Sequence, residues 1–413
     1  MEKKLFDILK ERGYIKDLTH ESEIIELLNG EPFTFYLGID PTADSLHIGH
    51  FFALTMFRWL QDFGHRGIIL VGGATALVGD PTGKSDMRKM LSKEEVAHNK
   101  REVKELVKRF VKTDGDNPAF ILDNADWICD KTYVDFMRDI GVHFNVNNML
   151  SAECYKKRLA SGGLTFLEMG YMLMQAFDFV HLNKEFNCKL QIGGSDQWGN
   201  ILAGVDLSRK IGFSEGKKID PLYGFVCPLL LKADGEKMGK TATGTLWVSR
   251  EKTSAFDFFQ AWINSFDEDV ERSLAFFTRM EMDSIKELCK KDIREAKKIL
   301  AFEVTKLVHG EEEAINAKQI AEDLFKGNGI SDNMPTTTIS KNKLPINILD
   351  LLVETKLVTS KSEGRRLIEQ NGISINQLKE NDINRIINIS DFKNGFIIIQ
   401  KGKKVFLKVK LEA

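Results

Sequence analysis

Several features of secreted, metal-binding or membrane proteins are scarce in this sequence of 413 residues. Its five cysteines lie at least 25 residues apart, a spacing that fits neither a disulfide framework nor a zinc knuckle. No run of 18 uncharged apolar residues occurs, and no signal-peptide pattern follows Met1. Only 8 prolines stand against 28 phenylalanines, which excludes a disordered chain. These absences predict a folded, soluble, cytoplasmic protein without a structural metal.

Charge is distributed unevenly along the chain. The formal net charge is −2, but residues 341–413 contain 14 Lys and Arg against 8 Asp and Glu, so they carry +6 and the rest carries −8. Basic side chains supply most contacts with nucleic-acid phosphates, which makes the tail a candidate for binding a polyanion. A solvated basic surface is the alternative, and charge alone favours it.

The first half of the chain alternates short apolar runs with helical patterns, which predicts a parallel sheet with crossover helices. The strand candidates are Phe33–Ile39, Gly67–Gly72, Ala119–Leu122 and Cys188–Ile192. From about residue 253 to 325 the pattern is helical only, and the last 70 or so residues mix helices with short strands. We therefore expect an α/β domain over 1–225, a lysine-containing loop and α-helical domain over 226–326, a linker over 327–342 and a small α+β domain over 343–413.

The first candidate site is a segment in which a predicted strand containing Tyr36 is followed by the turn Asp40-Pro-Thr42 and then by a helix. His47 and His50 are three residues apart, so both imidazoles lie on one face of the first helical turn. Unpaired N–H groups and the positive end of the helix dipole favour a phosphate chain there. Gly49 would let a flat ring approach the backbone. One histidine at a helix start is usually a cap, but two in this context favour a functional site.

The segment from Gly72 to Ser85 resembles a P-loop only superficially. That motif needs four residues between its glycines, and only three separate Gly79 from Gly83. What remains is Asp80 at the carboxyl end of a strand, followed by Lys84 and Arg88. Ligands bind at such strand ends, where the carboxylate could take an ammonium group and the cations could take phosphates. A plain polar loop is an equal alternative.

A polar stripe follows the helix predicted from Thr165 to His181. Glu168, Tyr171, Gln175 and Asp178 succeed one another at steps of 3, 4 and 3, so they share one face. Such a stripe usually faces water. Because this one lacks Lys and Arg and the opposite face is rich in Met and Phe, a buried stripe that binds a polar ligand is the alternative.

Two further loops contain candidate groups. In Gly193-Gly194-Ser-Asp196-Gln197 the glycines allow close backbone approach, and Asp196 could accept two hydroxyl hydrogen bonds of the kind that ribose offers. A tight turn capped by Asp is the alternative. Lys237 and Lys240 lie in a glycine-punctuated loop, where lysines could meet charge that builds up during a reaction. Loop lysines are normally only solvated.

Taken together, His47-Ile-Gly-His50 and Lys237-Met-Gly-Lys240-Thr resemble the two signature motifs of class I aminoacyl-tRNA synthetases. The segment Gly193-Gly-Ser-Asp-Gln-Trp-Gly-Asn200 narrows the resemblance to the bacterial-type tyrosyl-tRNA synthetase family. The segments Ser360–Gln370 and Ile373–Asn376 resemble the S4-type RNA-binding domain of that family. The resemblance covers essentially the whole chain, and it implies a Rossmann-like catalytic domain with a dimer-interface insertion near residues 126–160.

The implied reaction is attack of the L-tyrosine carboxylate on the α-phosphorus of ATP, followed by transfer of tyrosine to the 3′-terminal ribose of tRNA(Tyr). ATP would be a substrate with Mg²⁺ on its phosphates. The resemblance also implies a homodimer and no membrane partner. Three alternatives are a tryptophan-activating relative, a non-catalytic RNA-binding descendant and another nucleotidyltransferase with the same histidine turn.

Carried over residue by residue, the resemblance implies a role for each candidate. Tyr36 and Asp178 would bind the phenol hydroxyl of tyrosine, and the remaining tyrosine-binding residues would be Asp80, Tyr171, Gln175 and Gln197. The reaction itself, mainly the leaving pyrophosphate, would involve Thr42, His47, His50, Lys84, Arg88, Lys237 and Lys240. ATP would also contact Asp40, Gly49, Gly194, Asp196 and Lys240, and RNA would contact Lys361, Arg365 and Arg366. Leu37 stands where some relatives have a ribose-contacting cysteine, and Gly239 where the general motif has serine.

Overall fold

The computed structural model describes residues 3–82, 90–214, 216, 220–241, 244–325, 335–376, 378–392, 395–402 and 405–412. The chain divides into two compact units. The first contains Met1–Lys252 and Ser265–Ala296, and the second contains Thr253–Asn264 and Lys297–Ala413.

The part of the chain before residue 326 alternates strands with helices and then becomes helical, as the sequence pattern predicts. Its strands are β1 (Asp17–Leu18), β2 (Thr34–Ile39), β3 (Arg66–Val71), β4 (Phe120–Asp123), β5 (Cys188–Gly194), β6 (Tyr223–Cys227), β7 (Lys240–Thr241) and β8 (Gly244–Thr245). Its helices are α1 (Leu5–Glu11), α2 (Glu21–Asn29), α3 (Ile48–Asp62), α4 (Thr75–Val78), α5 (Lys93–Lys108), α6 (Ala125–Ile128), α7 (Tyr133–Asp139), α8 (Val146–Ser151), α9 (Glu153–Ser161), α10 (Phe166–Phe186), α11 (Trp198–Ser214), α12 (Ala255–Ile263), α13 (Asp267–Phe277), α14 (Met282–Lys291), α15 (Ile293–His309) and α16 (Glu311–Phe325).

A six-stranded sheet forms the centre of the first unit, in the order β1-β6-β5-β2-β3-β4. All neighbouring strands are parallel except β1, which pairs antiparallel with β6. This is the Rossmann-like arrangement that the sequence predicts. The chain crosses over between β5 and β2, so the carboxyl ends of these central strands open a crevice where α/β proteins bind ligands.

Local sequence explains where the long helices begin. Ser92 with Glu95 and Thr165 with Glu168 both form the reciprocal capping box, in which each side chain accepts a hydrogen bond from the other residue's backbone N–H. Helix α10 packs on the sheet through a core that includes Tyr36, Ile68 and Phe179. The sheet and α10 thereby hold the two walls of the crevice in a defined position.

The helical region does not form a separate unit, in contrast to the expected domain over 226–326. Helix α13 belongs to the sheet unit, where aromatic contacts hold it against α3 and against the segment that directly follows α1. The Tyr14 hydroxyl donates to the Phe276 carbonyl, and the Phe52 and Phe276 ring centroids lie 4.5 Å apart. The buried Arg12 guanidinium donates to the carbonyls of Ala275 and Thr278 at 2.8 and 2.9 Å. In the second unit, α12 packs with α16.

The C-terminal residues form an α+β fold with a core of its own. Its elements are β9 (Thr336–Ser340), β10 (Ile346–Asn347), α17 (Ile348–Glu354), α18 (Lys361–Glu369), β11 (Ile373–Ile375), β12 (Leu378–Lys379), β13 (Ile386–Ile387), β14 (Phe396–Lys401) and β15 (Val405–Glu412). The main sheet has the order β12-β11-β14-β15-β9. Strand β9 lies within the range 327–342 expected to be a linker, and the rest of that range up to residue 334 is outside the described residues. The extended threonines of β9 pair in parallel with β15, which corrects the linker boundary.

No helix in the described parts of the chain is both long and apolar enough to cross a membrane.

Candidate active site

The crevice at the strand ends contains a cavity of about 510 Å³. Its lining comes from β2 and β5, from the start of α3, from α10 and from the lysine loop before β7. Fourteen of the site residues predicted from sequence lie in this lining: Tyr36, Asp40, Thr42, His47, Gly49, His50, Asp80, Tyr171, Gln175, Asp178, Gly194, Asp196, Gln197 and Lys237. Leu37 and Gly239 also lie there. Lys84, Arg88 and the side chain of Lys240 are outside the described residues.

The two histidines begin helix α3 in an unequal arrangement. His47 is the N-cap, and its Nδ1 accepts hydrogen bonds from the backbone N–H groups of Gly49 and His50 at 3.1 and 3.3 Å. Because Nδ1 is an acceptor, Nε2 carries the proton of the neutral ring and is the nitrogen able to donate to a phosphate. The two rings stack with their centroids 3.8 Å apart.

The structure gives a reason for glycine at position 49, Gly49, that the sequence did not reveal. A Cβ at this position would lie 3.0 Å from Cε1 and 3.1 Å from Nδ1 of His47. A side chain would therefore push the capping imidazole away from the helix start. This contact with His47 is a reason for glycine in addition to the predicted approach of a flat ring.

The lysine loop lies against the start of α3. Gly239 has φ +87°, and a Cβ there would lie 2.3 Å from Cγ2 of Ile48. The Ile48 N–H donates to the Leu246 carbonyl at 3.2 Å, and the Leu246 N–H donates to the Gly239 carbonyl at 2.6 Å. The two motifs, separated by nearly 190 residues in sequence, are therefore neighbours through their backbones.

The closed end of the cavity contains Tyr36 and Asp178, both at most 2% exposed. Asp178 accepts hydrogen bonds from Asn124 Nδ2 at 3.0 Å and from Trp127 Nε1 at 2.8 Å. Burial raises the pKa of Asp178 from 3.8 to about 8, and the Asn124 and Trp127 donors only partly oppose this increase. Burial also raises the pKa of Tyr36, whose hydroxyl has no hydrogen-bond partner among the described residues.

A hydrogen-bond chain connects Asp178 with Asp40. Asn124 Nδ2 also donates to Thr75 Oγ1 at 3.0 Å, and the Thr75 hydroxyl donates to Asp40 at 2.7 Å. The Tyr171 hydroxyl donates to the other oxygen of Asp40 at 2.8 Å. Tyr171 thus bonds to Asp40, whereas the sequence analysis grouped it with Asp80.

Asp80 belongs to a second chain. It accepts from the Thr82 N–H at 2.9 Å and from Gln197 Nε2 at 2.7 Å, and Asn200 Nδ2 donates to Gln197 at 3.0 Å. Burial and the charge of Asp80 raise the pKa of nearby Asp196, while the charge of Lys237 lowers it. Among the described residues, the cavity lining thus contains four aspartates, Asp40, Asp80, Asp178 and Asp196, and one lysine, the exposed Lys237.

The polar stripe of α10 is buried, which favours the ligand-binding alternative over a water-facing surface. Tyr171 and Asp178 are buried, and Gln175 is half-buried with an Oε1 that has no partner among the described residues. Glu168 is not directed to a ligand, because it pairs with buried Arg158 at 2.8 Å. In the C-terminal fold, Lys361, Arg365 and Arg366 are exposed on α18, and Lys361 pairs with Asp350 at 2.5 Å.

Among the lining and supporting residues that sequence reasoning missed are Thr75, Asn124, Trp127 and Gln191. Asn124 directly follows β4, and the rule that selected Asp80 at a strand end could also have selected it. The Asn124 Oδ1 accepts from the Ala74 N–H at 2.8 Å, which fixes the amide so that its nitrogen faces Asp178. No pattern in the sequence indicates Trp127, which reaches Asp178 from a different helix.

The raised pKa of Asp178 predicts a pH dependence of stability. A carboxyl whose pKa is higher in the folded than in the unfolded chain stabilises the fold fully below its unfolded pKa, and this contribution is lost as pH rises through the folded value of about 8. Between about pH 4 and about pH 8, the melting temperature of the ligand-free protein should therefore fall relative to that of Asp178→Asn, and above about pH 8 the difference should stay constant. If the melting temperatures of the two proteins change with pH in the same way, the raised pKa of Asp178 is contradicted.

Among the described residues, no group of three or more His, Cys, Asp or Glu side chains is arranged to hold a metal ion.

Comparison with known families matches nearly the whole chain. Residues 28–326 match the family described as tRNA synthetases class I (W and Y). Residues 327–409 match the tyrosine--tRNA ligase SYY-like C-terminal domain.

Individual relatives agree with the family match. A tyrosine--tRNA ligase of Acetivibrio thermocellus is 52% identical over 412 residues, covering 98% of this chain and 99% of the relative. A tyrosine--tRNA ligase of Clostridium perfringens is 50% identical over 410 residues, with 98% and 99% coverage. The crystal structure of a C-terminally truncated mitochondrial tyrosyl-tRNA synthetase of Aspergillus nidulans superposes with a TM-score of 0.70 at 29% identity, covering 78% of this chain and 95% of that one.

Proposed function

Because this chain belongs to the family of class I tRNA synthetases for tryptophan and tyrosine, we propose that its cavity binds the side chain of the amino acid at the closed end and ATP in the remaining space. The activity is that of a tyrosine--tRNA ligase. The enzyme activates L-tyrosine with ATP to tyrosyl-adenylate and pyrophosphate, and then transfers tyrosine to tRNA. The main support for this placement of the two ligands is that Tyr36 and Asp178 are both buried at the closed end of the cavity.

The phenol of tyrosine occupies the closed end in this proposal. The Tyr36 hydroxyl lacks a partner among the described residues, and Asp178 is oriented by Asn124 and Trp127. A phenol hydroxyl can donate to the carboxylate and accept from Tyr36. Tyrosine therefore satisfies groups that a smaller apolar amino acid would leave unpaired.

The ammonium and carboxylate of tyrosine lie nearer the strand ends. The ammonium is bound by Asp80, Tyr171 and Gln175, whose Oε1 lacks a partner among the described residues. The Tyr171 proton is directed to Asp40, so the lone pairs of its oxygen can accept from the ammonium. Gln197 is held by Asp80 and Asn200 beside the position of the reacting carboxylate.

ATP, carrying Mg²⁺ on its phosphates, occupies the rest of the cavity. Its ribose binds Asp196 and the Gly194 backbone, and its adenosine lies beside Asp40, Gly49 and His50. Thr42, His47 through Nε2, and Lys237 stabilise the charge that moves to the leaving pyrophosphate, together with Lys84, Arg88 and Lys240. The chemistry needs no covalent bond between the enzyme and its substrates, since it depends on orientation and on fixed positive charge around the phosphates.

The C-terminal fold binds tRNA through the exposed α18, with Lys361, Arg365 and Arg366 on the phosphate backbone. Its basic character contrasts with the acidic remainder of the chain, where repulsion would oppose binding of a polyanion. We place the enzyme in the cytoplasm, where its tRNA substrate is charged.

Amino-acid-dependent exchange of radiolabelled pyrophosphate into ATP tests the assignment of the substrate. The expected result is exchange that depends on tyrosine and is negligible with tryptophan. Exchange with tryptophan alone would assign the chain to the tryptophan branch of the family. Absence of exchange with any amino acid would favour a non-catalytic descendant.

Tyr36→Phe tests the phenol end of the cavity. Removing one hydroxyl should lower kcat/KM for tyrosine about tenfold, the cost of one hydrogen bond, while kcat/KM for phenylalanine stays the same or rises. The measurement is the ratio of kcat/KM for tyrosine and phenylalanine in pyrophosphate exchange. An unchanged ratio would remove Tyr36 from the phenol site.

The proposed homodimer uses the segment near residues 126–160. Several large apolar side chains there are strongly exposed, among them Tyr133, Val134, Val142 and Val146, each at least 52%. Side chains of this kind in one surface region are typical of protein interfaces. The second protomer would cover them.

Val142→Asp should weaken the dimer at least about tenfold, because an unpaired charge would enter an apolar contact. Analytical ultracentrifugation over a concentration series measures the change. Ile315→Asp on α16 is the matched control, since Ile315 is 54% exposed and lies outside the proposed interface. A dimer that is equally stable in both variants would contradict the assignment of the interface.

A further inference from the structure

One buried polar side chain of the cavity has no role in the scheme above. Gln191 lies in β5 and is 3% exposed, and it lines the same cavity as Tyr36 and Asp178. Its Oε1 is inaccessible to solvent and has no hydrogen-bond partner among the described residues. Buried amides are almost always paired, so an unpaired one beside a ligand cavity requires an explanation.

Strand register places Gln191 at the depth of Tyr36. The two residues are direct partners in the parallel pairing of β2 and β5, so their side chains lie on the same face of the sheet. Two residues closer to the carboxyl ends are Gly38 and Gly193, about 7 Å away at the rise of a strand. A Cβ on Gly38 would meet nothing within 4 Å, so the space above this level is open. Gln191 thus borders the closed end of the cavity, and the strand ends with Asp40 lie farther out.

An unpaired buried carbonyl costs free energy in the ligand-free protein, and nothing among the described residues recovers it. Tyr36 Oη is a second unpaired atom at the same depth. A ligand with a hydroxyl at this end could pair with both groups. A ligand with only C–H groups there could pair with neither.

We propose that Gln191 is a specificity-determining residue whose amide completes the hydrogen bonds around the phenol hydroxyl of tyrosine. The phenol hydroxyl donates a hydrogen bond to Asp178. It accepts hydrogen bonds from the Tyr36 hydroxyl and from the Gln191 Nε2–H. Turning the amide by 180° exchanges Nε2 and Oε1 without displacing the rest of the side chain, so the bound phenol selects the donating orientation. This assignment rests on the proposed orientation of tyrosine in the cavity.

Gln191→Met tests it, because methionine retains the length and approximate volume of glutamine and removes the polar atoms. The melting temperature of the ligand-free variant should equal or exceed that of the wild type, because an unpaired buried group has been removed. Tyrosine should bind about tenfold more weakly in isothermal titration calorimetry, as expected for one lost hydrogen bond. 3-(4-Hydroxyphenyl)propanoate, which keeps the phenol and lacks the ammonium, should weaken by the same factor. Phenylalanine should bind as it does to the wild type.

Gln175→Met is the matched control, since Gln175 also has an unpaired Oε1 in this cavity but belongs to the proposed ammonium set. It should weaken tyrosine and phenylalanine alike and spare the propanoate. The inference is overturned if Gln191→Met weakens tyrosine and phenylalanine equally, lowers the melting temperature, or leaves all three ligands unaffected. Failure of wild-type protein to bind tyrosine at all would instead refute the proposed function.

Discussion

Replacing Asp178 with alanine should lower kcat/KM for tyrosine in pyrophosphate exchange by about 10²- to 10³-fold, the largest loss expected for any single substitution in the cavity. The substitution removes the acceptor for the phenol hydroxyl. It also leaves the Asn124 amide and the Trp127 indole N–H without their acceptor in a buried region. Two unpaired donors then face the phenol oxygen in place of an oriented carboxylate.

The loss should be specific for the amino acid. Because Asp178 lies at the closed end, the KM for ATP should change little, and exchange at saturating tyrosine should recover part of the activity. Asp178→Asn, which keeps one acceptor, should fall between the wild type and alanine. Glu185→Ala, on the same helix but outside the cavity lining, is the control and should behave as the wild type. Equal losses toward tyrosine and ATP would indicate a general structural defect and would contradict the role of Asp178 in binding phenol.

Ending the chain after Lys326 should abolish charging of tRNA, by at least about 10²-fold, and leave tyrosine-dependent pyrophosphate exchange within about twofold of the full chain. The residues removed carry the basic excess and form a core among themselves, including Ile348, Leu352, Ile373 and Ile399. Among the described residues, those that line the cavity all lie at or before Thr245, so they are retained in the shortened chain.

The two activities must be measured on the same preparation. Loss of both would mean that the C-terminal fold supports the catalytic unit structurally. Retention of tRNA charging would mean that tRNA binding does not depend on the C-terminal fold. A full-length variant with Arg365→Ala and Arg366→Ala offers an independent comparison. Losing two phosphate contacts should weaken tRNA binding and should reduce the salt dependence of the binding constant by the amount expected for about two phosphate contacts.

Local patterns were sufficient for much of the architecture. Capping boxes at Ser92 and Thr165 mark the starts of α5 and α10 within the local sequence, and apolar runs predicted β2 to β5 to within one or two residues at each end. These signals depend on neighbours within a few positions, such as a side chain that caps its own helix. Strand β6 was missed because Tyr223–Cys227 is short and lacks clear alternation, and β9 because three threonines after a proline resemble a loop.

Motif spacing also identified most of the polar side chains in the cavity lining, because strands of a parallel sheet bring their carboxyl ends to one edge wherever they occur in the chain. It could not resolve the ambiguity of the α10 stripe. A helical face looks the same in sequence whether water or a ligand lies beside it, and only packing against the sheet shows that Tyr171 and Asp178 are buried.

The sequence by itself determined the residue types, their spacing and the family resemblance. From these followed the two motifs and the reaction that they imply. Which groups pair with which was not determined by the sequence. Tyr171 bonds to Asp40 across 131 positions, Asn124 and Trp127 orient Asp178 across more than 50, and Gln191 is left unpaired beside Tyr36. Hydrogen bonds depend on distances of a few tenths of an ångström, and such distances between remote segments exist only after the sheet and helices have packed.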